Sequence, residues 1–189
     1  MSLLTQATAL AGRPVVTLGG EDVGQVKDVV YSVSSRQVVG FTLAGRGLLA
    51  GPMRQALPWD GVHAVGRDAV MIPDEGVLIE RDEVADRAEL HNQNSLGGTV
   101  LTEGGTALGT IEDVILEIGG PADVVGYEIR TTEALPPAGR HAFLPLPGQV
   151  AASGEALVVP DAVATMVVDD LAALGALVRN ERAGSEETR

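Results

Sequence analysis

With no cysteine among its 189 residues, the chain has no thiolate, disulfide or iron–sulfur chemistry, and three histidines carry most of the reactivity left. His63, His91 and His141 share no metal-ligand spacing, and none stands beside a serine in a nucleophile motif. His91 follows Asp82, Asp86 and Glu89, so a helical 82–91 would gather three carboxylates and an imidazole; a solvated linker face explains the same spacing. Two glycine turns, Gly19-Gly20-Glu21-Asp22-Val23-Gly24 and Gly104-Gly105-Thr106-Ala107-Leu108-Gly109, have the glycine content of a phosphate loop. No Gly-Lys-Ser/Thr follows, and the next element reads as a strand, so no helix N-terminus is there to hold a phosphate. Asp28 and Asp113 recur at equivalent places among valines. Such a pair could act across a shared cleft, but a duplicated carboxylate more simply repeats a structural task, such as accepting backbone N–H bonds at a bulge. The residues predict no catalytic site, no metal and no cofactor, and the chain reads as a non-enzyme.

The elements around these residues are set by an internal repeat. Pro14–Val33 placed over Thr99–Ile118, an offset of 85, is identical at Val15/Val100, Thr17/Thr102, Gly19/Gly104, Gly20/Gly105, Gly24/Gly109, Asp28/Asp113 and Val29/Val114. After a one-residue length change, Val39-Gly40-Phe41 meets Val125-Gly126-Tyr127, and Asp68–Asp74 later meets Glu155–Asp161. Within a copy, short valine-rich runs alternate with glycine and proline punctuation, which predicts five or six short strands. Tight turns imply an antiparallel order, and small barrels would leave few exposed edges. A change of phase near Asp28 predicts a bulge or a strong twist. The expected division is a first barrel over 1–76, a linker with a short strand or helix turn over 77–97, and a second barrel over 98–161. A C-terminal helix is predicted over 162–182, with Val163, Val167, Leu171, Leu174 and Val178 on one face, and 183–189 as a disordered tail.

Composition limits the partners. The formal charge is −13, and residues 98–161 carry nine acids against two arginines. Nucleic acid and anionic lipid need clustered Lys and Arg, so neither is expected to bind; the acidity serves solubility or a basic partner. Met1–Ala11 lacks the basic and apolar segments of a signal peptide, and no window is apolar enough to span a membrane. The expected location is cytoplasmic, with no membrane insertion.

The repeated set of short strand, glycine turn, Gly-x-Val/Ile-x-Asp-Val (Gly24–Val29 and Gly109–Val114), Val-Val-Gly-Phe/Tyr and closing apolar strand resembles the PRC-barrel family. Its members include the cytoplasmic domain of the photosynthetic reaction-centre H subunit and the C-terminal domain of a ribosome maturation factor. The resemblance implies an all-β fold of two small antiparallel barrels in tandem with a short C-terminal helix, and a role as a docking module. It implies no enzymatic activity. The expected function is an adaptor or scaffold that binds a protein partner or self-associates as a homodimer, for which the C-terminal helix is one route. The alternative is a barrel holding a small molecule or metal between the two repeats. The candidate interaction surface is the glycine-rich loop with Arg46, Leu48, Leu49, Met53 and Arg54, since apolar side chains on a loop often mark an interface. Gly19, Gly20, Gly24, Asp28, Gly104, Gly105, Gly109 and Asp113 are expected to be structural, and Trp59 to plug a core.

Overall fold

The computed structural model describes residues 3–32, 35–47, 50–88, 96–146, 151–152 and 155–186. The chain divides into two compact units: Thr5–Gln93 with Ile118–Asp123, and Met1–Leu4 with Asn94–Glu117 and Val124–Arg189. No helix of the described residues is long and apolar enough to cross a membrane.

After β1 (Leu3–Gln6), the first unit runs through β2 (Pro14–Thr17), β3 (Asp22–Ser32), β4 (Gln37–Ala44), β5 (Pro52–Pro58), β6 (Ala64–Val65), β7 (Val70–Ile72) and β8 (Ile79–Glu80), then α1 (Arg81–Arg87). Its strands lie in the order β8-β5-β4-β3-β2-β7-β6. The second unit holds β9 (Thr99–Thr102), β10 (Ala107–Ile118), β11 (Ala122–Thr131), β12 (His141–Pro145), β13 (Ala151–Ala152), β14 (Ala156–Val159) and α2 (Leu171–Glu186). Here the order is β12-β11-β10-β9-β14-β13, with β1 beside β10. The first unit's β5-β4-β3-β2-β7-β6 is thus reproduced strand for strand. β2–β3, β3–β4, β4–β5, β5–β8 and β6–β7 in the first unit, and β9–β10, β11–β12 and β13–β14 in the second, are antiparallel; β2 pairs with β7, and β9 with β14, in parallel. The connecting excursion between those strands is long enough to bring the closing strand back in the same direction, which a tight turn could not do.

Local chemistry explains the framework. Gly20 and Gly105 adopt positive φ in the turns between the first two strands of each unit, which glycine does without a side-chain penalty. Gly24 and Gly109 meet a neighbouring carbonyl: a Cβ would lie 2.8 Å from Ala44 O and 2.6 Å from Arg130 O, respectively. The bulge expected near Asp28 is present, with the β3–β4 register shifting between Val26 and Asp28. Buried Val15, Phe41, Leu57 and Ile72 form the first core, and Val100, Tyr127, Leu144 and Val159 occupy the matching places in the second.

The helices follow the same pattern. Val84 and Ala88, at α1, pack with Val30 and Ala56, and with partly buried Val39 and Ile79. Leu174 and Val178 of α2 pack with Ile115, Val125 and Phe143, and with partly buried Leu4, Val168 and Leu171. Strand pairing makes Val30 equivalent to Ile115, Val39 to Val125 and Ala56 to Phe143, because Phe41 faces Leu57 as Tyr127 faces Leu144. Each helix therefore covers the same patch of its own sheet. Residues 77–88 are the end of the first copy rather than spacer, because Ile79 pairs with Ala56 and Val84 is fully buried.

The C-terminal helix starts at Leu171, not at residue 162. Asp161–Met166 is a 3-10 turn, and Val168 exchanges both backbone bonds with Phe143 at 2.8 and 3.0 Å, which holds Val167-Val168 extended. Asp170 then accepts Ala173 N–H at 2.8 Å, an N-cap that starts the helix only there. At its other end α2 runs to Glu186, past the predicted limit of 182. The stripe of Leu174 and Val178 is used within its own unit.

Candidate functional site

Beside the β5 edge of the first unit lies a cleft of about 470 Å³, lined by Pro52, Met53, Arg54, Glu80, Arg81 and Asp82. Its floor comes from strand geometry. β8 pairs with β5 only at Gln55 and Ala56, so Pro52–Arg54 run on without a partner strand on that side among the described ladders. Arg54 and Arg81, with Glu80 and Asp82, give it a polar, mixed-charge lining. Met53 adds a half-buried, polarizable surface of the kind that adapts to varied partners. The second unit has no such opening described. There Asp169 follows Val168, the partner of Phe143, as Glu80 follows Ile79, the partner of Ala56, and Asp169 forms an ion pair with Arg140.

The second unit instead carries a polar cluster on β10, β11 and β12. Arg130 donates from Nε to Glu112 Oε1 at 2.7 Å and from Nη1 to Gly139 O at 3.1 Å. His141 Nδ1 lies 2.8 Å from Glu128 Oε1 and 2.9 Å from Glu112 Oε2. Glu128 is buried. The β11–β12 register creates the cluster by setting Arg130 opposite His141 and Glu128 one diagonal away, opposite Phe143. Through that register His141 lies opposite Arg130, whereas in the first unit Ala44, the counterpart of Arg130, lies opposite Pro52, because the β4–β5 register shifts between Thr42 and Ala44. Glu112 and Glu128 correspond to Lys27 and Thr42. Nothing comparable can form in the first copy.

Residues 6–78 match the sequence model of the PRC-barrel domain. Over that segment, which is less than half of the chain, the sequence is similar to the PRC-barrel domain. PRC-barrel domains are protein-interaction and scaffold modules, and the family is generally non-enzymatic. No curated protein matches the chain. The cleft lies at the border of the PRC-barrel match: Pro52–Arg54 fall inside it, and Glu80–Asp82 follow just beyond.

Of the loop proposed from sequence, Met53 and Arg54 line the cleft. Arg46 is tied back to β3, where its Nε sits 3.1 Å from Asp22 Oδ1 and an Nη donates to Asp22 O. Leu48, Leu49 and His91 lie outside the described residues. Glu80, Arg81 and Asp82 were missed as surface because their charges read as solvated linker. The repeated aspartates part company. Asp28 is exposed and bonds Thr42, accepting from its Oγ1 at 3.1 Å while Asp28 N–H donates to that same oxygen. Asp113 is buried, and its Oδ1 accepts Val114 N–H at 2.8 Å. Gly104 N–H donates to Asp161 Oδ1 at 2.9 Å. With Thr102, that bond holds the Asp161 carboxyl below its ordinary range. Trp59 is half-buried, its ring 6.0 Å from that of Phe41.

Proposed function

We propose that this protein is a non-enzymatic cytoplasmic adaptor built from two PRC-type units, and that its first unit docks a protein partner in the cleft between Pro52–Arg54 and Glu80–Asp82. The observation that carries this reading is the open cleft beside β5, in and next to the segment that matches the PRC-barrel domain; beside β12 of the second unit, Arg140 and Asp169 are ion-paired instead. Met53 would supply the apolar anchor, and the four charged side chains around it would select the partner. Acidity elsewhere is a poorer guide to docking, since Asp113, Glu117 and Glu128 are buried.

The experiment is affinity purification of the tagged protein from its own host under mild crosslinking, with mass spectrometry of the bound proteins. Met53→Arg, which would put a long charged side chain into the cleft that Met53 shares with Glu80 and Asp82, serves as the closed-cleft control. A partner recovered by the wild-type protein and lost with Met53→Arg, at an unchanged melting temperature, is the expected result. Equal recovery by both proteins would remove the cleft from the account.

A further inference from the structure

We propose that Glu112, Glu128 and His141 form a binding site for a divalent cation of the zinc class, a site private to the second unit. Their ligand atoms lie within 4.8 Å of one another, and they stand on three neighbouring strands, β10, β11 and β12. Two carboxylates and an imidazole make an N/O donor set suited to zinc-like ions, and three protein ligands leave a coordination position open.

The hydrogen bonding around His141 shows why a cation is called for. Arg130 Nη2 lies 3.3 Å from His141 Nε2. Arginine only donates, so in the tautomer whose Nε2 accepts from Arg130 the ring proton is on Nδ1. That proton faces two carboxylate oxygens, at 2.8 and 2.9 Å, and has hydrogen-bond geometry only toward Glu128. Glu112 Oε2 is left sealed from solvent without a hydrogen bond, which is costly for a carboxylate oxygen. Arg130 grips the opposite oxygen, Oε1, and so aims Oε2 at the same point as Glu128 Oε1 and His141 Nδ1. A cation there would satisfy all three atoms.

Uptake requires small adjustments. Zinc bond lengths near 2.0–2.2 Å put neighbouring ligands about 3.3 Å apart, so the three atoms spread by roughly half an ångström. The Nδ1–H bond breaks and an Nε2–H bond forms, a tautomer change with no net proton release, as Nδ1 and the two carboxylate oxygens form their coordination bonds to the cation. Arg130 Nη2 then withdraws from Nε2 while its bonds to Glu112 Oε1 and Gly139 O persist, an outer-shell support of the usual kind. Nε2–H turns to water, since the His141 side chain is 56% exposed.

Calorimetric titration of the chelator-stripped full chain with Zn²⁺ tests the site, with Co²⁺ absorption as a second readout. The wild-type protein is expected to bind one ion per chain at micromolar Kd or tighter, and to show visible Co²⁺ bands. His141→Gln and Glu112→Gln should each weaken binding by more than about tenfold, with unchanged circular dichroism in the metal-free state. Glu112 is less buried than Glu128, so its variant stands if another unfolds. Failure to saturate below about 1 mM, an affinity too weak for a built site, would overturn the proposal. Equal binding by the wild type and both variants would overturn it too, because diffuse surface carboxylates would then account for the signal.

Discussion

The two units share a strand order and differ in what they bury. Among the described residues, the first unit buries hydroxyls as its polar groups: Thr17, Ser32 and Thr42, with Thr5. The second keeps Thr102 where Thr17 stands but has Glu117 in place of Ser32 and Glu128 in place of Thr42, and it buries Asp113 where Asp28 is exposed. Each of those acids has brought a partner with it. Glu117 meets Arg182 of α2 at 2.6 Å, Glu128 meets His141, and Asp113 takes a backbone N–H. A buried charge without a partner would be strongly unfavourable. The second unit is therefore closed by ion pairs at places where the first is either plainly packed or open. Duplicate frameworks can thus separate into one copy braced by buried acids and their partners and one that keeps hydroxyls there and has an open cleft.

The widest gap between the copies should appear under the helices. Leu174→Ala is expected to destabilise the second unit by about 2–5 kcal/mol, since it empties a fully buried site beside Phe143. Val84→Ala should cost the first unit roughly 2 kcal/mol, two buried methyls' worth with some relaxation. Chemical denaturation of each variant would show equal losses if the helices were equivalent. Next, Gly24→Ala and Gly109→Ala should each cost about 1–3 kcal/mol, because the added methyl meets a strand carbonyl rather than a movable side chain alone. The causes differ: at Gly109 the methyl meets Arg130 O at 2.6 Å, whereas at Gly24 the positive φ adds backbone strain to contacts with Ala44 O at 2.8 Å and the flexible Met53 side chain at 2.9 Å. A harmless Gly109→Ala would mean that the copies' shared glycine is not held by this contact.

Smaller effects sharpen the contrast. Arg182→Gln should lower stability by about 1–2 kcal/mol, less than the loss of a wholly buried pair, because the arginine is half exposed. The smallest effect concerns acid. Asp161 has a lowered carboxyl pKa in the folded chain, owing first to the Gly104 N–H and then to Thr102. The unfolded chain thus takes up that proton at higher pH than the folded one. The stabilisation is present above the ordinary carboxylate value of 3.8 and is lost as pH falls through the lowered one. Asp161→Asn should flatten the acid end of the stability–pH curve. An unchanged slope would assign the acid sensitivity to other groups.

Most of the strand framework was legible in the sequence, and the reason is local: valine runs, glycine turns and an 85-residue self-match report short-range preferences. The bulge near Asp28 showed itself as a break in alternation. What stayed hidden depends on pairing across distance. The helix α1 was obscured because its seven residues, Arg81–Arg87, bury little besides Val84, so its charges read as linker. The start of α2 was misplaced because Val163 and Val167 fit a helical stripe, whereas the Phe143–Val168 bridge claims that stretch as extended chain. Met53 and Arg54 were readable as surface from their loop context, but not the cleft they share with Glu80–Asp82. Glu112, Glu128 and His141 are far apart in the sequence and stand on three strands that only pairing sets side by side, so their grouping could not be seen.

The central claim is that the first unit's cleft, and not the ion-paired Arg140–Asp169 surface of the second unit, is the docking site. Its most direct test is the affinity of a recovered partner for three proteins measured side by side: the wild type, Met53→Arg and Arg140→Met. The account expects Met53→Arg to weaken binding at least about tenfold, a loss of 1.4 kcal/mol or more, and Arg140→Met to leave it unchanged. Full affinity in Met53→Arg with a loss in Arg140→Met would contradict it and move the docking site to the second unit.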